Sequence, residues 1–445
     1  MKQLLTYFCL LVLLNIICSN SMYAQLPFAP FSAYSGNPVV SKTPGMWDQS
    51  AVWWGNVIFA NDTFYLTYNG TDNFPTSPAS IGLAVSSDGL TFLKSLSNPI
   101  ISGDGSGFDA YSAEAGVLFF DNIIWYMYYS GLSASPSQPA NVIGRATSSI
   151  SPHGQWTRSD DTLLTVGSTG EWDSEFIIPT CIVENGAALI MYYFAGSYWP
   201  GPGQIGMATS INGGTTWQKY DDPTTTLPPY AESDPVLQPD KPYDNFSILG
   251  CTVLKTLTGW EMLYAGYNDI ISSICYATSV DGINWVKDDL NNPIFVPSQD
   301  PLAYEIFEKP AVVLFDDNYF MYYDYGVSPT GIGLATANIV SVELISSNIP
   351  SSYFLEQNYP NPFNPTTNIG FKIADRGFVS LKVFDILGNE VSTLVNEEKP
   401  AGTYEIILNA TNLPSGVYFY QLRAVDPSTS SGQGFIQTKK MLLLK

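Results

Sequence analysis

Short apolar runs recur along the middle of this chain, and each closes on a glycine or a turn pair. Five aromatic-rich runs end on a glycine: FYLTYNG at 64–70, WYMYYSG at 125–131, LIMYYFAG at 189–196, WEMLYAG at 260–266 and YFMYYDYG at 319–326. A second run follows each of them: SIGLAVSSDG at 80–89, VIGRATSS at 142–149, QIGMATSINGG at 204–214, SICYATSVDG at 273–282 and GIGLATAN at 331–338. The isoleucines of this second run, Ile81, Ile143, Ile205, Ile274 and Ile332, are spaced 62, 62, 69 and 58 residues apart. An aromatic–Asp pair precedes the first run in four copies: Trp47-Asp48, Phe108-Asp109, Trp172-Asp173 and Tyr243-Asp244. Tyr304-Glu305 stands near the fifth, and the DG or GG turns lead to Phe92, Trp217 and Trp285. No helical period runs through this region, so each copy reads as short strands separated by turns.

Five copies of about sixty residues, each long enough for a four-stranded sheet, predict an all-β, five-bladed β-propeller over 35–342. A single blade cannot bury both of its faces, so the copies need one another. A pair of β-sandwiches is the alternative, and it does not account for five copies in phase. Residues 343–352 read as a linker. Beyond them, alternating short strands over 353–445 predict a small Ig-like β-sandwich.

The first 24 residues differ from the rest. Lys2 is followed by the apolar stretch Leu10–Leu14 and Ile16–Ile17, then by Ser19, Asn20, Ser21 and Ala24. That run is too short to span a bilayer and has the layout of a secretory signal, with cleavage expected after Ala24. No later run is long enough for a transmembrane segment.

Charge narrows the function. The chain carries 40 acids against 18 bases, a net −22. Residues 351–445 balance at eight of each, and 1–24 hold only Lys2, which leaves 32 acids against nine bases in 25–350. A nucleic-acid partner requires a basic face that this region lacks. Polyanionic substrates and anionic membranes are disfavoured on the same ground. His153 is the sole histidine, and Cys181, Cys251 and Cys275 are the cysteines left after the leader. Zinc sites of Cys/His type and His-dependent triads are excluded on that count. No motif supports a structural Ca²⁺, so neither metal nor cofactor is expected, and the chain is expected to be a monomer.

The tail resembles the type A C-terminal sorting domain of the Bacteroidetes type IX secretion system. The resemblance is carried by YPNPFNPTT at 359–367, VFDILGNEV at 383–391, LPSGVYFYQL at 413–422 and the closing KKMLLLK at 439–445. It implies export across the outer membrane through a translocon that recognises 353–445, with a secreted or cell-surface destination.

The repeats resemble the five-bladed propeller glycoside hydrolases and their relatives, the arabinanase, invertase and mannoside-phosphorylase families. ATSVDGINW at 277–285, its looser copies and the MYY-G strands carry this resemblance over about 35–340. The Asn-Asp-Pro-Asn-Gly and Arg-Asp-Pro signatures of invertases are absent. The SINGGTTW turn at 210–217 also looks like the Asp-box of sialidase propellers, but Arg145 and Arg158 are the only central arginines, too few for an acidic sugar.

Glycoside hydrolysis needs two carboxyls flanking the bond. Counted back from the following glycine, Asp48, Asp109, Asp173 and Asp244 fall 22 or 23 residues away. A feature shared by four blades reads first as a structural turn. Glu114, Glu175 and Glu308 break the repeat, and the first and last of them nearly share a register where apolar neighbours would raise a carboxyl pKa. Matching the families blade by blade points instead to Asp48, Asp109 and Glu175. The catalytic candidates are therefore Glu114, Glu175, Glu308, Asp48 and Asp109. Trp47, Trp53, Trp54, Tyr198 and Trp199 are candidates for stacking on sugar faces. Two functions stay open: a secreted glycosidase acting on a neutral glycan, and a non-catalytic propeller that binds glycan or holds a surface assembly.

Overall fold

The computed structural model describes residues 28–133, 142–159, 162–196, 202–256, 259–296, 309–316, 318–326, 330–339, 342–346, 352–374, 377–399, 402–425 and 435–445. The chain divides into two compact units, Pro30–Ala337 and one that holds Asn338–Lys445.

The first unit is a five-bladed propeller. Blade I consists of Ala51–Ala60, Thr63–Thr71, Ser80–Ser86 and Leu93–Lys94, paired antiparallel in that order. Blade II follows with Ser112–Phe120, Trp125–Leu132, Val142–Ser148 and Thr157–Arg158. Blade III is Phe176–Asn185, Ala188–Gly196, Gly203–Ser210 and Gln218–Lys219, with Pro235–Leu237 added to its third strand. Blade IV is Ser247–Lys255, Trp260–Tyr267, Ser272–Ser279 and Trp285–Lys287. Blade V takes Ala311–Phe315, Asn318–Tyr325 and Gly331–Asn338 from its own repeat and Ser32–Ala33 from the start of the chain.

That last pairing, Ser32 opposite Thr336, closes the ring and sets the propeller's beginning before residue 35. The first strands of successive blades also touch in cyclic order, I to V and back to I, so they surround the axis. Among the described residues the one helical element is a 3₁₀ turn, Gly107–Asp109.

Local chemistry explains the repeat. In the DG turns, Ser86 Oγ accepts from the Gly89 amide, and Asp88 Oδ1 accepts from the Leu90 and Thr91 amides, both at 2.8 Å. Ser279 and Asp281 repeat this in blade IV. Such side-chain bonds replace a backbone turn and fix the route into the outermost strand. The glycine of the I-G-x-A-T run has a separate cause. A Cβ on Gly144 would lie 1.9 Å from the Phe108 ring, which covers both Gly144 and Gly131. In blade I the Trp47 ring likewise covers Gly70, so in these two blades the aromatic of the aromatic–Asp pair is a lid over its own blade. Between blades, buried tyrosines make the contacts: Tyr192 Oη donates to Gly282 O at 2.7 Å, from blade III to blade IV.

The second unit is a two-sheet sandwich. One sheet orders Val342–Ser346, Gly402–Asn409, Thr366–Ile373 and Phe354–Leu355. The other orders Glu390–Lys399, Gly377–Phe384, Gly416–Val425 and Phe435–Leu443. Alternate residues of the strands, including Ile369, Phe371, Val379, Leu381, Val383, Tyr420 and Leu422, form its core. Residues 343–346 of the segment read as a linker over 343–352 lie in this unit's first strand, because Val342–Ser346 pairs with Gly402–Asn409, and 347–351 lie outside the described residues.

Candidate functional site

The four aromatic–Asp carboxylates form a repeated buried pin. Asp48 accepts from Lys94 and lies 3.3 Å from Tyr68 Oη. Asp109 accepts from Tyr129 Oη and Arg158 Nη1, each at 2.8 Å. Asp173 binds Lys219 at 2.5 Å, and Asp244 binds Lys287 at 2.6 Å and Tyr264 Oη at 3.0 Å. In every case the cation comes from the outermost strand of the same blade. The carboxylates raise the pKa of their tyrosines, after burial itself, in Tyr68, Tyr129 and Tyr264. In blades I, II and IV the pin ties the entry of the blade to its second and fourth strands, and in blade III Asp173 joins the fourth strand and Ser233. Asp48 and Asp109 are therefore held by cations of the blade periphery and buried, which is the arrangement of a fastening. Trp47 goes with them, stacked on Tyr68 with ring centroids 5.8 Å apart.

A different pattern occupies the innermost strands. In blades I and II each carries a bulge, and the bulged residues Trp54 and Ala115 have φ of +55° and +54°. Left-handed backbone at a non-glycine residue costs about 1–3 kcal/mol and needs outside support. That support comes from the preceding blade. Asp324 Oδ1 accepts from the Trp54 amide at 2.6 Å, and Asn69 Oδ1 accepts from the Ala115 amide at 2.7 Å. Asp324 and Asn69 hold the same place in their repeats, just ahead of the strand's end. Ser130 holds it in blade II, and its Oγ is buried with no partner among the described residues.

These bulges set out the candidate residues. Glu114 pairs with Ser130 across blade II, and Trp53 pairs with Asn69 across blade I, so the two share one register in adjacent blades. Glu114 Oε1 accepts from Ser112 Oγ at 2.7 Å. Its carboxyl is crowded by protein yet retains some solvent access, and burial raises its pKa against the smaller opposing effect of Ser112. Trp54 is buried, with its indole 6.2 Å from the Phe194 ring of blade III and its Nε1 without a partner among the described residues. Trp53 is half-buried and meets Phe74 edge-on at 5.5 Å. Glu175 is exposed just before the innermost strand of blade III. Glu308, Tyr198 and Trp199 lie outside the described residues.

Deeper along the innermost strands, polar groups cross between blades. Asn56 Nδ2 donates to Thr180 O at 2.9 Å, from blade I to blade III. Thr252 Oγ1 donates to Pro310 O at 2.8 Å, and Lys309 Nζ reaches Gly55 O at 3.4 Å. Lys309 is fully buried, which pushes its pKa down to about 8. Sequence reasoning passed over Lys309, Asp324 and Asn69. For Asp324 a signal existed: the equivalent positions in the other blades, opposite the isoleucine of the next strand, are Asn69, Ser130, Phe194 and Ala265, so it is the one acid of that set. Among the described residues, no cluster of three or more His, Cys, Asp or Glu could hold a metal ion.

Comparison with known proteins bears on both units. Residues 357–433 match the secretion system C-terminal sorting domain. The propeller is similar to a protein from Parabacteroides distasonis provisionally named a glycoside hydrolase, with 16% identity, TM-score 0.54, and coverage of 72% of this chain and 98% of that one. It is similar to a glycosyl hydrolase from Bacteroides ovatus at 16% identity and TM-score 0.53, covering 71% and 96%. A third similar structure belongs to work on the GH130 family of mannoside phosphorylases, which contains glycoside hydrolases that target β-1,2-mannosidic linkages in Candida mannan. It has 15% identity and TM-score 0.52, covering 71% and 96%. No match was found among curated proteins. At these identities the likeness shows the fold alone, which in this chain is an all-β, five-bladed propeller. The tail places the chain among proteins exported by the type IX system to the cell surface or the medium. Among the described residues, no helix is long and apolar enough to cross a membrane.

Proposed function

We propose that this protein is a secreted glycosidase acting on a neutral glycan, with Glu114 as general acid and Glu175 as the second carboxylate. The observation that carries the reading is Glu114 itself: a carboxyl on an innermost strand, solvent-accessible, with a pKa raised by burial. A general acid must hold its proton near the working pH, and a crowded apolar setting supplies that condition. Trp53 would offer a flat apolar face to the sugar ring. The charge pattern favours a neutral substrate, because Lys94, Arg158, Lys219 and Lys287 are all engaged by pin carboxylates. The mannoside-active members of the third similar family make manno-oligosaccharides one class to test, beside arabino-, xylo- and fructo-oligosaccharides.

The test is hydrolysis of these four classes by wild type, Glu114→Gln, Glu175→Gln and Glu308→Gln. Loss of an acid or base should lower turnover by ~10²–10⁴-fold while glycan binding persists. One observation favours a second reading, a glycan-binding propeller: Asp48 and Asp109, two of the five candidate carboxyls, are engaged by Lys94 and Arg158 in buried pins. Measurable binding with no turnover by wild type on any class would establish that reading.

A further inference from the structure

We infer that Cys181 and Cys251 form a disulfide in the exported protein, a covalent bridge between the innermost strands of blades III and IV. The two cysteines lie on facing strands, both are buried, and they belong to one packed cluster. Cys251 Sγ lies 3.3 Å from Thr180 Oγ1, the neighbour of Cys181 in sequence, at the bulge of that strand, which brings the two thiols into one neighbourhood. Cys275 belongs to the same cluster, but its thiol faces the Ser273 carbonyl and the Asp244 pin instead. In the structure all three cysteines are thiols.

Lys309 makes this pair chemically unequal. Its buried ammonium acts on both thiols. Burial opposes ionisation of Cys181, but the neighbouring Cys251 and the Lys309 charge outweigh it and draw the thiol down. Cys251 is pushed up by burial and by its neighbour. Cys181 is also the more exposed of the two. It is thus the attacking sulfur, and Cys251 the resolving one.

The oxidant is a disulfide of the compartments beyond the inner membrane, where such bonds persist. Cys181 thiolate attacks one sulfur of that disulfide, and the first thiol of the oxidant leaves. Cys251 then gives up its proton and attacks Cys181 Sγ, forming the protein disulfide and releasing the second thiol. Two protein thiols are oxidised, one disulfide is reduced to two thiols, and the two protons end on those thiols. The bridge closes a long loop, so it restricts the unfolded chain and holds the innermost strands of blades III and IV together. This inference is independent of catalysis.

The experiment is thiol counting on the full-length protein secreted by a host with a type IX system. The protein is unfolded in denaturant with iodoacetamide, with and without prior reduction, and its mass is measured. One alkylated cysteine before reduction and three after is the expected result, with a Cys181–Cys251 peptide in the unreduced digest. Cys275→Ala should show none before reduction, and Cys251→Ala should show two. Three alkylated cysteines in the unreduced wild type, or a bridge that includes Cys275, overturns the inference. Since Cys251→Ala tests folding as well, a further arm treats reduced wild type with glutathione disulfide. Loss of two thiols with a rise in the thermal midpoint supports the bridge, and stable mixed disulfides on Cys181 alone overturn it.

Discussion

Tyr322 Oη of blade V donates to the carbonyl of Gly89 in blade I, 2.9 Å away. The bond joins the last repeat to the first, in the same way that Tyr192 joins blade III to blade IV. The two residues are 233 positions apart. Tyr322→Phe leaves the buried Gly89 carbonyl short of a donor, at a cost of about 1–3 kcal/mol. We expect a lower thermal midpoint with unchanged far-ultraviolet dichroism, and a smaller effect from an exposed control such as Thr91→Ala.

The pins make a second expectation. Asp109→Asn removes the charge facing Arg158 and weakens the bond to Tyr129. Breaking one side of a buried pair costs about 3–5 kcal/mol, and the partial exposure of Arg158 reduces this toward ~2 kcal/mol. Denaturant unfolding should show that loss. Glycan binding and any turnover should persist at temperatures where the variant is folded. Lost activity in a fully folded Asp109→Asn protein would instead return Asp109 to the chemistry.

Glu114 sets a pH dependence with a definite sign. Burial raises its folded pKa above the unfolded value, so the folded state binds the extra proton between the two. Stability should therefore fall as pH rises through that window, by about 1.4 kcal/mol for every pH unit between the two values. Glu114→Gln should flatten the profile there and be the more stable protein above it. If Glu114 is the general acid, kcat/KM of the wild type should fall on the alkaline side of the same raised pKa.

Export gives a prediction that does not involve the propeller's chemistry. Deleting 353–445 removes the matched sorting domain together with the strand that pairs with Val342–Ser346. In a host with a type IX system the truncated protein should accumulate in the periplasm, as measured by fractionation and immunoblotting. Its appearance in the medium or at the cell surface would show that the tail is dispensable.

Much of this architecture was readable in one dimension. The strand–glycine runs, the isoleucine spacing and the DG turns are local features, and each turn or alternation encodes its own backbone geometry. The same holds for the sandwich, whose core follows from alternate residues such as Val379, Leu381 and Val383. Even the suspicion that a fourfold aromatic–Asp repeat is structural came from counting alone. The partners of those carboxylates were not readable, because Lys94 and Arg158 are brought to Asp48 and Asp109 by the folding of a whole blade. Asp324 supports Trp54 across 270 residues, and Lys309 reaches Gly55 across 254. Ring closure places such pairs side by side, and no local pattern specifies it. The sequence therefore determined the blades and the tail. Only the tertiary structure decided which carboxylates are tied into pins and that Glu114 stays solvent-accessible with a raised pKa, because burial and pairing depend on what the ring packs around each group.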